Sequence, residues 1–342
     1  VWGGEPYTRF IDLLTESVNE GSISIDRIND AVSRILKVKF EIDLFEYPKS
    51  DYSLINKIGS KEHRLIAREA VRKSVVMLKN ENDILPLKKP YGNIHIAGQG
   101  ADDIGIQCGG WTIEWQGKKG NITKGTTIFD GIAKKIFEKE PNTKITFSNN
   151  GTGAENADLA IVVLSEKPYA EWHGDDSVLN LSDEEIKTFE NIENLNIPFI
   201  TILVSGRPLI TNDQIKNSDA FLAAWLPGSE AGDGIADILF GDYSPTGKLA
   251  FSWPKNINQV PINSNDNGDP LFPFGFGLSY KMELKKITSD ELTNKKEAVI
   301  QFENMKAVVE ENEKVAGGKI LKINDDHIIF QKDNKTERIH IQ

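Results

Sequence analysis

Leu159-Ala160-Ile161-Val162-Val163-Leu164, followed by Glu166-Lys167-Pro168-Tyr169-Ala170-Glu171-Trp172-His173-Gly174-Asp175-Asp176, is the stretch around which the chain is organised. The first six residues are apolar without the alternation of a half-exposed strand. They read as a strand buried on both faces, as in a parallel sheet. The polar run behind them, with its proline and glycine, cannot continue the strand and reads as a loop. Regular structure resumes at Ser182-Asp183-Glu184-Glu185, where a serine with glutamate three residues later is a helix-opening capping pattern. The unit is therefore strand, long loop, helix. In open α/β sheets ligands bind beyond the carboxyl ends of the strands, and this loop leaves from such an end.

Loop carboxylates are ordinarily solvated, and that is the plain reading of Glu166 and Glu171. Two aromatics, Tyr169 and Trp172, flank Glu171, and an exposed loop gains little by carrying both. Together they suggest a sugar-binding wall with an acid set in it. Apolar surroundings disfavour an ionised carboxyl, which suits a proton donor to a leaving glycosidic oxygen.

Strand and helix alternate on both sides of this unit. Strands are expected at 74–78, 93–97, 144–147, 199–204 and 221–226, and helices at 126–139, at 184–194 and after Pro227-Gly228-Ser229-Glu230-Ala231-Gly232. That rhythm argues for a doubly wound α/β sandwich. Upstream, residues 7–19 and 25–40 carry apolar positions at helical spacing, Ser24 being the expected cap of the second helix. These helices need something to pack against. A further helix over 60–73 places Leu65, Ile66, Ala70 and Val71 inward and Lys61, Arg64, Arg68 and Arg72 outward, the basic residues forming a solvated face. Gly98-Gln99-Gly100 is not a dinucleotide loop, because the third glycine is misplaced and no helical period begins where a phosphate needs one. Trp111 and Trp115 follow. A tryptophan pair four residues apart is commonly core, yet Gly109-Gly110 before them and Gln116-Gly117 after them are poor material for a core helix. Arg207 and Glu230, on the strand-end side that also holds Glu171, are expected to stabilise loops.

Several long motifs in order resemble glycoside hydrolase family 3, in its β-glucosidase and exo-1,3-1,4-β-glucanase branch: 76–80 (VMLKN), 97–103 (AGQGADD), 107–117 (QCGGWTIEWQG), the loop at 166–176, and the closing 272–280 (FPFGFGLSY). The likeness runs over roughly residues 1 to 280. It implies residues 1–47 as the last helices of a (β/α)8 catalytic barrel, 48–73 as linker and connecting helix, and 74–280 as the α/β sandwich domain carrying the acid/base. Residues 281–342 lie beyond it: a tail or small β-module, with a hairpin expected from Gly317-Gly318 through Phe330. The resemblance also implies a retaining, exo-acting β-glucosidase or β-glucanase using two carboxyl groups. Glu171 aligns with the family's acid/base, Glu166 being its rival in the same loop. Trp111 and Trp115 fall on the family's aromatic platform, and with Tyr169 and Trp172 they are the expected substrate-binding residues. The nucleophilic Asp belongs to the barrel and has no counterpart in this chain, so a partner barrel domain and a β-glucoside or β-glucan oligosaccharide are the implied partners. A histidine serves as proton carrier in a related branch, but from the barrel; His173 is expected to be a hydrogen-bonding or spectator group. The terminal segments 247–254 and 272–280 resemble strands and loops that pack back on the sandwich, and bacterial relatives of the branch are often periplasmic or secreted.

The totals agree with a neutral substrate. Acidic side chains outnumber basic ones, 51 to 40, and the net charge of -11 disfavours nucleic acid and anionic lipid as partners. No apolar run reaches membrane-spanning length. The single cysteine, Cys108, reads as a small residue in a tight turn. The five histidines are scattered without ligand spacing, so neither metal nor other cofactor is expected. The amino terminus lacks a signal-peptide pattern, as expected of a chain that begins inside a larger protein. Two rival classes remain: a non-catalytic sugar-binding or structural fragment with no turnover of its own, and a nucleotide-binding α/β protein that a dinucleotide would protect from melting.

Overall fold

The computed structural model describes residues 6–263, 268–280, 283–289, 295–302, 305–315, 318–332 and 335–340. The amino-terminal five residues and Gly317, on which two of the readings above fall, lie outside them. The chain divides into two compact units, Val1–Ser60 and Lys61–Gln342.

The first unit holds α1 (Tyr7–Asn19), α2 (Ile25–Glu41) and a 3-10 turn at Ile55–Lys57. Ser24 caps α2 by accepting from the Arg27 N–H at 3.2 Å, as its position promised. Both helices are amphipathic and neither buries a residue; Phe10, Leu13, Ile35 and Phe40 all stand exposed.

The second unit is built on a six-stranded sheet: β1 (Val76–Asn80), β2 (Asn93–Ala97), β3 (Lys144–Ser148), β4 (Leu159–Ser165), β5 (Phe199–Val204) and β6 (Ala220–Trp225), in the order β1-β6-β5-β4-β2-β3. Every pairing is parallel except that of β1, which runs antiparallel to β6 on the sheet edge. All seven residues of β4 are buried, as an unalternating apolar run requires of a central strand covered on both faces. One face is covered by α3 (Lys61–Ser74), α5 (Ile128–Lys139) and α8 (Ala231–Leu239), whose Val71, Ile132, Ile136, Ile235 and Ile238 join Ile96, Ile161 and Ile202 in one cluster. The other is covered by α6 (Asp183–Glu193) and α7 (Asn212–Asn217), where Phe189, Ile192, Ile215 and Trp253 meet Val162, Leu164 and Leu203. Each fully buried aliphatic side chain contributes about 1.5–3 kcal/mol, so the two clusters dominate the stability of the unit. The sheet is thus the doubly wound α/β sandwich expected. Its winding reverses between β2 and β4: the chain leaves β2 for α5 on one face and leaves β4 for α6 on the other, which opens a crevice at the carboxyl ends of this pair.

The structure corrects three local expectations. In α3, Leu65 and Ile66 are 52% and 67% exposed, Ala70 is exposed as well, and only Val71 points inward of the four apolar residues named. The basic stripe is the packed face instead. Arg64 pairs with Glu230 at 2.6 Å, and Arg68 Nε with Asp237 at 2.7 Å, both acids being almost wholly buried on or beside α8. Arginine stems cover apolar surface while their heads meet carboxylates, so an acidic partner helix reverses the face that hydropathy alone assigns. The segments 247–254 and 272–280 form no ladders. One single bridge, Trp253 to Phe272, joins the two segments and another, Leu278 to Met77, reaches the edge strand β1; they do pack back on the sandwich, the Trp253 indole donating to the Leu209 carbonyl at 2.8 Å. Finally, a short helix α4 (Ile104–Cys108) does follow the glycines after β2, but Asp103 caps it by accepting from the Ile106 and Gly120 N–H groups. A carboxylate already occupies the place a phosphate would take, so the rejection of a dinucleotide loop stands on different ground.

Beyond the sandwich, the carboxyl-terminal segment is a small all-β module of two antiparallel sheets. One holds β7 (Glu283–Ser289), β8 (Lys296–Phe302) and β9 (Met305–Val309); the other holds β10 (Lys314–Val315), β11 (Gly318–Ile323), β12 (His327–Lys332) and β13 (Lys335–His340). Ala298, Ile300 and Val309 pack with Ile320, Ile323, Ile328 and Phe330 into one core. β11 and β12 form the expected hairpin, with Ile320 opposite Phe330.

Candidate active site

Two loops meet at the reversal point. The first follows β2 and carries the tryptophans; the second follows β4 and carries the carboxyl groups. Their backbones touch: a Cβ on Gly110 would lie 2.1 Å from the Tyr169 carbonyl oxygen, closer than any side chain tolerates, so the approach requires glycine there. Gln116 joins the same two loops by accepting from the Ala170 N–H at 2.9 Å.

Trp111 and Trp115 are not core. The segment is a series of turns rather than a helix, closed by the Trp111 N–H donating to the Trp115 carbonyl at 2.9 Å, and the two indoles are 68% and 39% exposed. Their ring centroids lie 6.4 Å apart. Trp115 in turn meets Trp172 edge-on at 5.3 Å and His173 at 5.6 Å, and Trp172 stacks on His173. Three indoles and an imidazole from two loops make one aromatic surface open to solvent, an arrangement suited to the C–H face of a pyranose ring.

Glu171 opens a 3-10 turn, Glu171–Gly174, immediately beside this surface. Its φ of 52° lies in the left-handed region, which costs a non-glycine residue on the order of 1–2 kcal/mol and persists only where the surroundings impose it. Its side chain is exposed. Aromatic walls therefore stand next to the carboxyl and do not enclose it, contrary to the sheltered acid that the sequence suggested; the residues that could desolvate it are not supplied by these two loops.

Glu166 is engaged on both oxygens. Arg207 donates to Oε1 from Nε and Nη2 at 3.0 and 2.8 Å, while the Tyr169 hydroxyl and the Gly206 N–H donate to Oε2 at 3.0 and 3.1 Å. A carboxylate held by four donors has no lone pair free to exchange a proton with a ligand. Tyr169 is likewise turned away from the role the sequence suggested. Its ring lies under the Arg207 guanidinium at 4.6 Å and its hydroxyl is committed to Glu166, so it belongs to the anchor of the loop and not to the aromatic surface. Burial and the neighbouring Glu166 carboxylate push its phenol well above the usual range. Arg207 does hold a loop, as expected, whereas Glu230 binds Arg64 of helix α3.

Behind the second loop, at the ends of β2 and β4, is a cavity of about 300 Å³ lined by Gln99, Ser165, Tyr169, His173, Glu184 and Glu185 among others. Sequence reasoning missed Glu185. Ser182 does cap α6, its hydroxyl accepting from the Glu185 N–H, but the Glu185 carboxyl does not return the bond. It reaches instead to the last residue of β4, where the Ser165 N–H and hydroxyl donate to its two oxygens at 3.1 and 3.2 Å. Burial pushes it up to about 7 against the pull of those two bonds, with Glu184 pushing further and Lys119 opposing. The capping pattern placed Glu185 correctly along the chain, but nothing local signals that its side chain turns toward the sheet. Among the described residues no group of histidine, cysteine, aspartate and glutamate could hold a metal ion, and no helix is long and apolar enough to cross a membrane.

Comparison with known proteins agrees with this architecture. Residues 75–280 match the family model described as the glycosyl hydrolase family 3 C-terminal domain, and the chain belongs to that family of glycoside hydrolases. The lysosomal beta glucosidase of Dictyostelium discoideum is 32% identical over 295 residues, covering 78% of this chain and 36% of that protein. The periplasmic beta-glucosidase of Salmonella typhimurium is 28% identical over 333 residues, covering 81% and 43%. Among solved structures, a variant of the exo-1,3/1,4-beta-glucanase ExoP from a Pseudoalteromonas species superposes with a TM-score of 0.72 at 41% identity, covering 80% of this chain and 46% of that one. The chain thus spans less than half the length of these relatives.

Proposed function

We propose that this chain supplies the acid/base half of a retaining, exo-acting β-glucosidase or β-glucanase site, with Glu171 as the acid/base and Trp111, Trp115 and Trp172 as the wall against which the sugar lies. The observation that carries this reading is the meeting of the two loops at the sheet reversal, which sets Glu171 beside a surface of three indoles. The saturation of Glu166 supports the choice of Glu171 over its rival. The nucleophilic Asp and the residues that shelter Glu171 from water come from a (β/α)8 catalytic barrel. With the two carboxyls about 5 Å apart, the Asp attacks the anomeric carbon while Glu171 protonates the departing oxygen; Glu171 then takes a proton from the water that releases the sugar. The names of the relatives support glucose as the terminal residue, and the Salmonella protein supports a periplasmic or secreted location for the whole enzyme.

In the complete enzyme, Glu171→Gln should abolish most turnover of substrates with poor leaving groups and spare activated aryl glucosides, with azide restoring turnover through the open water position. The same pattern in Glu166→Gln, and its absence in Glu171→Gln, would move the role to Glu166. By itself the chain has half a site and should not hydrolyse an aryl β-glucoside. Turnover by the chain alone would place a nucleophile within it.

A further inference from the structure

Arg207 stands on the turn after β5, a different strand from the one that launches the Glu171 loop, yet it holds that loop at both ends. On one side its Nε and Nη2 donate to Glu166, the first residue beyond β4. On the other its Nη1 donates to the carbonyl oxygen of Gly174, the residue that closes the turn opened by Glu171. Between these grips the guanidinium lies over the Tyr169 ring, whose hydroxyl returns to Glu166. The packing leaves no slack. A Cβ on Gly174 would stand 2.1 Å from Tyr169 Cδ2, and one on Gly206 would stand 2.7 Å from its hydroxyl.

We propose that Arg207, with Glu166 and Tyr169, is a positioning device for the acid/base: one planar cation fixes the loop five residues before Glu171 and three residues after it, and so imposes the left-handed backbone that aims the carboxyl. This rests on the reading of Glu171 given above. Arg207 does not touch the substrate. Lysine cannot replace it, because a single ammonium cannot reach Glu166 and the Gly174 carbonyl in one plane while stacking on the phenol.

The test uses the complete enzyme with two glucosides, an alkyl one whose departure needs a proton and a dinitrophenyl one whose departure does not. Misplacement of a catalytic group by about 1 Å costs on the order of 100-fold, so Arg207→Met and Arg207→Lys should each lower kcat/KM on the alkyl glucoside by about 10- to 100-fold and stay within about 3-fold on the dinitrophenyl glucoside. Combining Arg207→Met with Glu171→Gln should add nothing on the alkyl substrate, since both remove the same proton transfer. Tyr169→Phe keeps the ring and removes a single donor, so it reports even if the arginine variants do not fold. Its loss should have the same selectivity at about 3- to 10-fold. Glu171→Gln showing the leaving-group pattern while the Arg207 and Tyr169 variants slow both substrates equally, or neither, overturns the positioning role alone. Glu171→Gln without that pattern overturns the assignment of the acid/base, and the positioning role with it.

Discussion

Glu185 is 7% exposed, and replacing it by glutamine should remove one loss of stability that accompanies rising pH. An unhindered glutamate releases its proton near 4.5, whereas burial at the end of β4 holds Glu185 at about 7. Between those values the folded chain keeps a proton that the unfolded chain has lost, so stability falls as pH rises through this window and stays lower above it. The gap corresponds to a loss on the order of 3 kcal/mol, at about 1.4 kcal/mol per pH unit. Glutamine carries no charge to bury. Its oxygen can accept the Ser165 N–H and its amide can donate to the Ser165 hydroxyl, which is free to rotate. Urea unfolding of wild type and Glu185→Gln at pH 4.5, 6 and 8 separates the effects, because every other titrating group is common to both proteins. The variant should gain about 3 kcal/mol on wild type between pH 4.5 and 8, or roughly 2–4 °C in Tm per kcal/mol for a domain of this size. A difference that is the same at both ends of the range would show that the carboxyl titrates in the folded chain where it does in the unfolded one, and the account of its burial would fail.

Removing Arg68 leaves Asp237, 1% exposed, without its closest partner: Arg68→Met should cost on the order of 3–5 kcal/mol by chemical denaturation, and adding Asp237→Asn should recover most of it. A single-variant loss below about 1 kcal/mol would mean that Lys135 and Arg72 suffice to hold the acid. Gly110→Ala forces a methyl group into the Tyr169 carbonyl and should separate the two loops, seen as altered tryptophan emission and faster proteolytic nicking between residues 166 and 176. Unchanged emission and cleavage would show that the close approach is dispensable.

Much of the fold was legible because its signals are local. β2 and β5 fall where their apolar runs stand, β4 reads as a strand buried on both faces, and Ser24 and Ser182 cap the helices they precede. The α3 face was misread for a reason periodicity cannot reveal. A helix with one apolar and one basic stripe buries whichever its neighbour complements, and the neighbour, α8, presents Asp233 and Asp237 from far along the chain. In the same way 247–254 and 272–280 have the composition of strands, but only Leu278 bridges the edge strand β1, at Met77, and no ladder forms.

The candidate site divides along the same line. Its chemical inventory, two glutamates and the tryptophans of two loops, is written in the order of residues, because side-chain type and nearness to a strand end are properties of short stretches. The saturation of the Glu166 carboxylate, and the turning of Tyr169 toward Arg207, came only from folding. Arg207 reaches the loop from the next strand over, and hydrogen-bond saturation depends on which groups the sheet order brings within about 3 Å. Likewise the buried carboxyl of Glu185 and the exposed one of Glu171 are chemically identical residues in one connection, and burial, which separates them, is a property of packing and not of sequence.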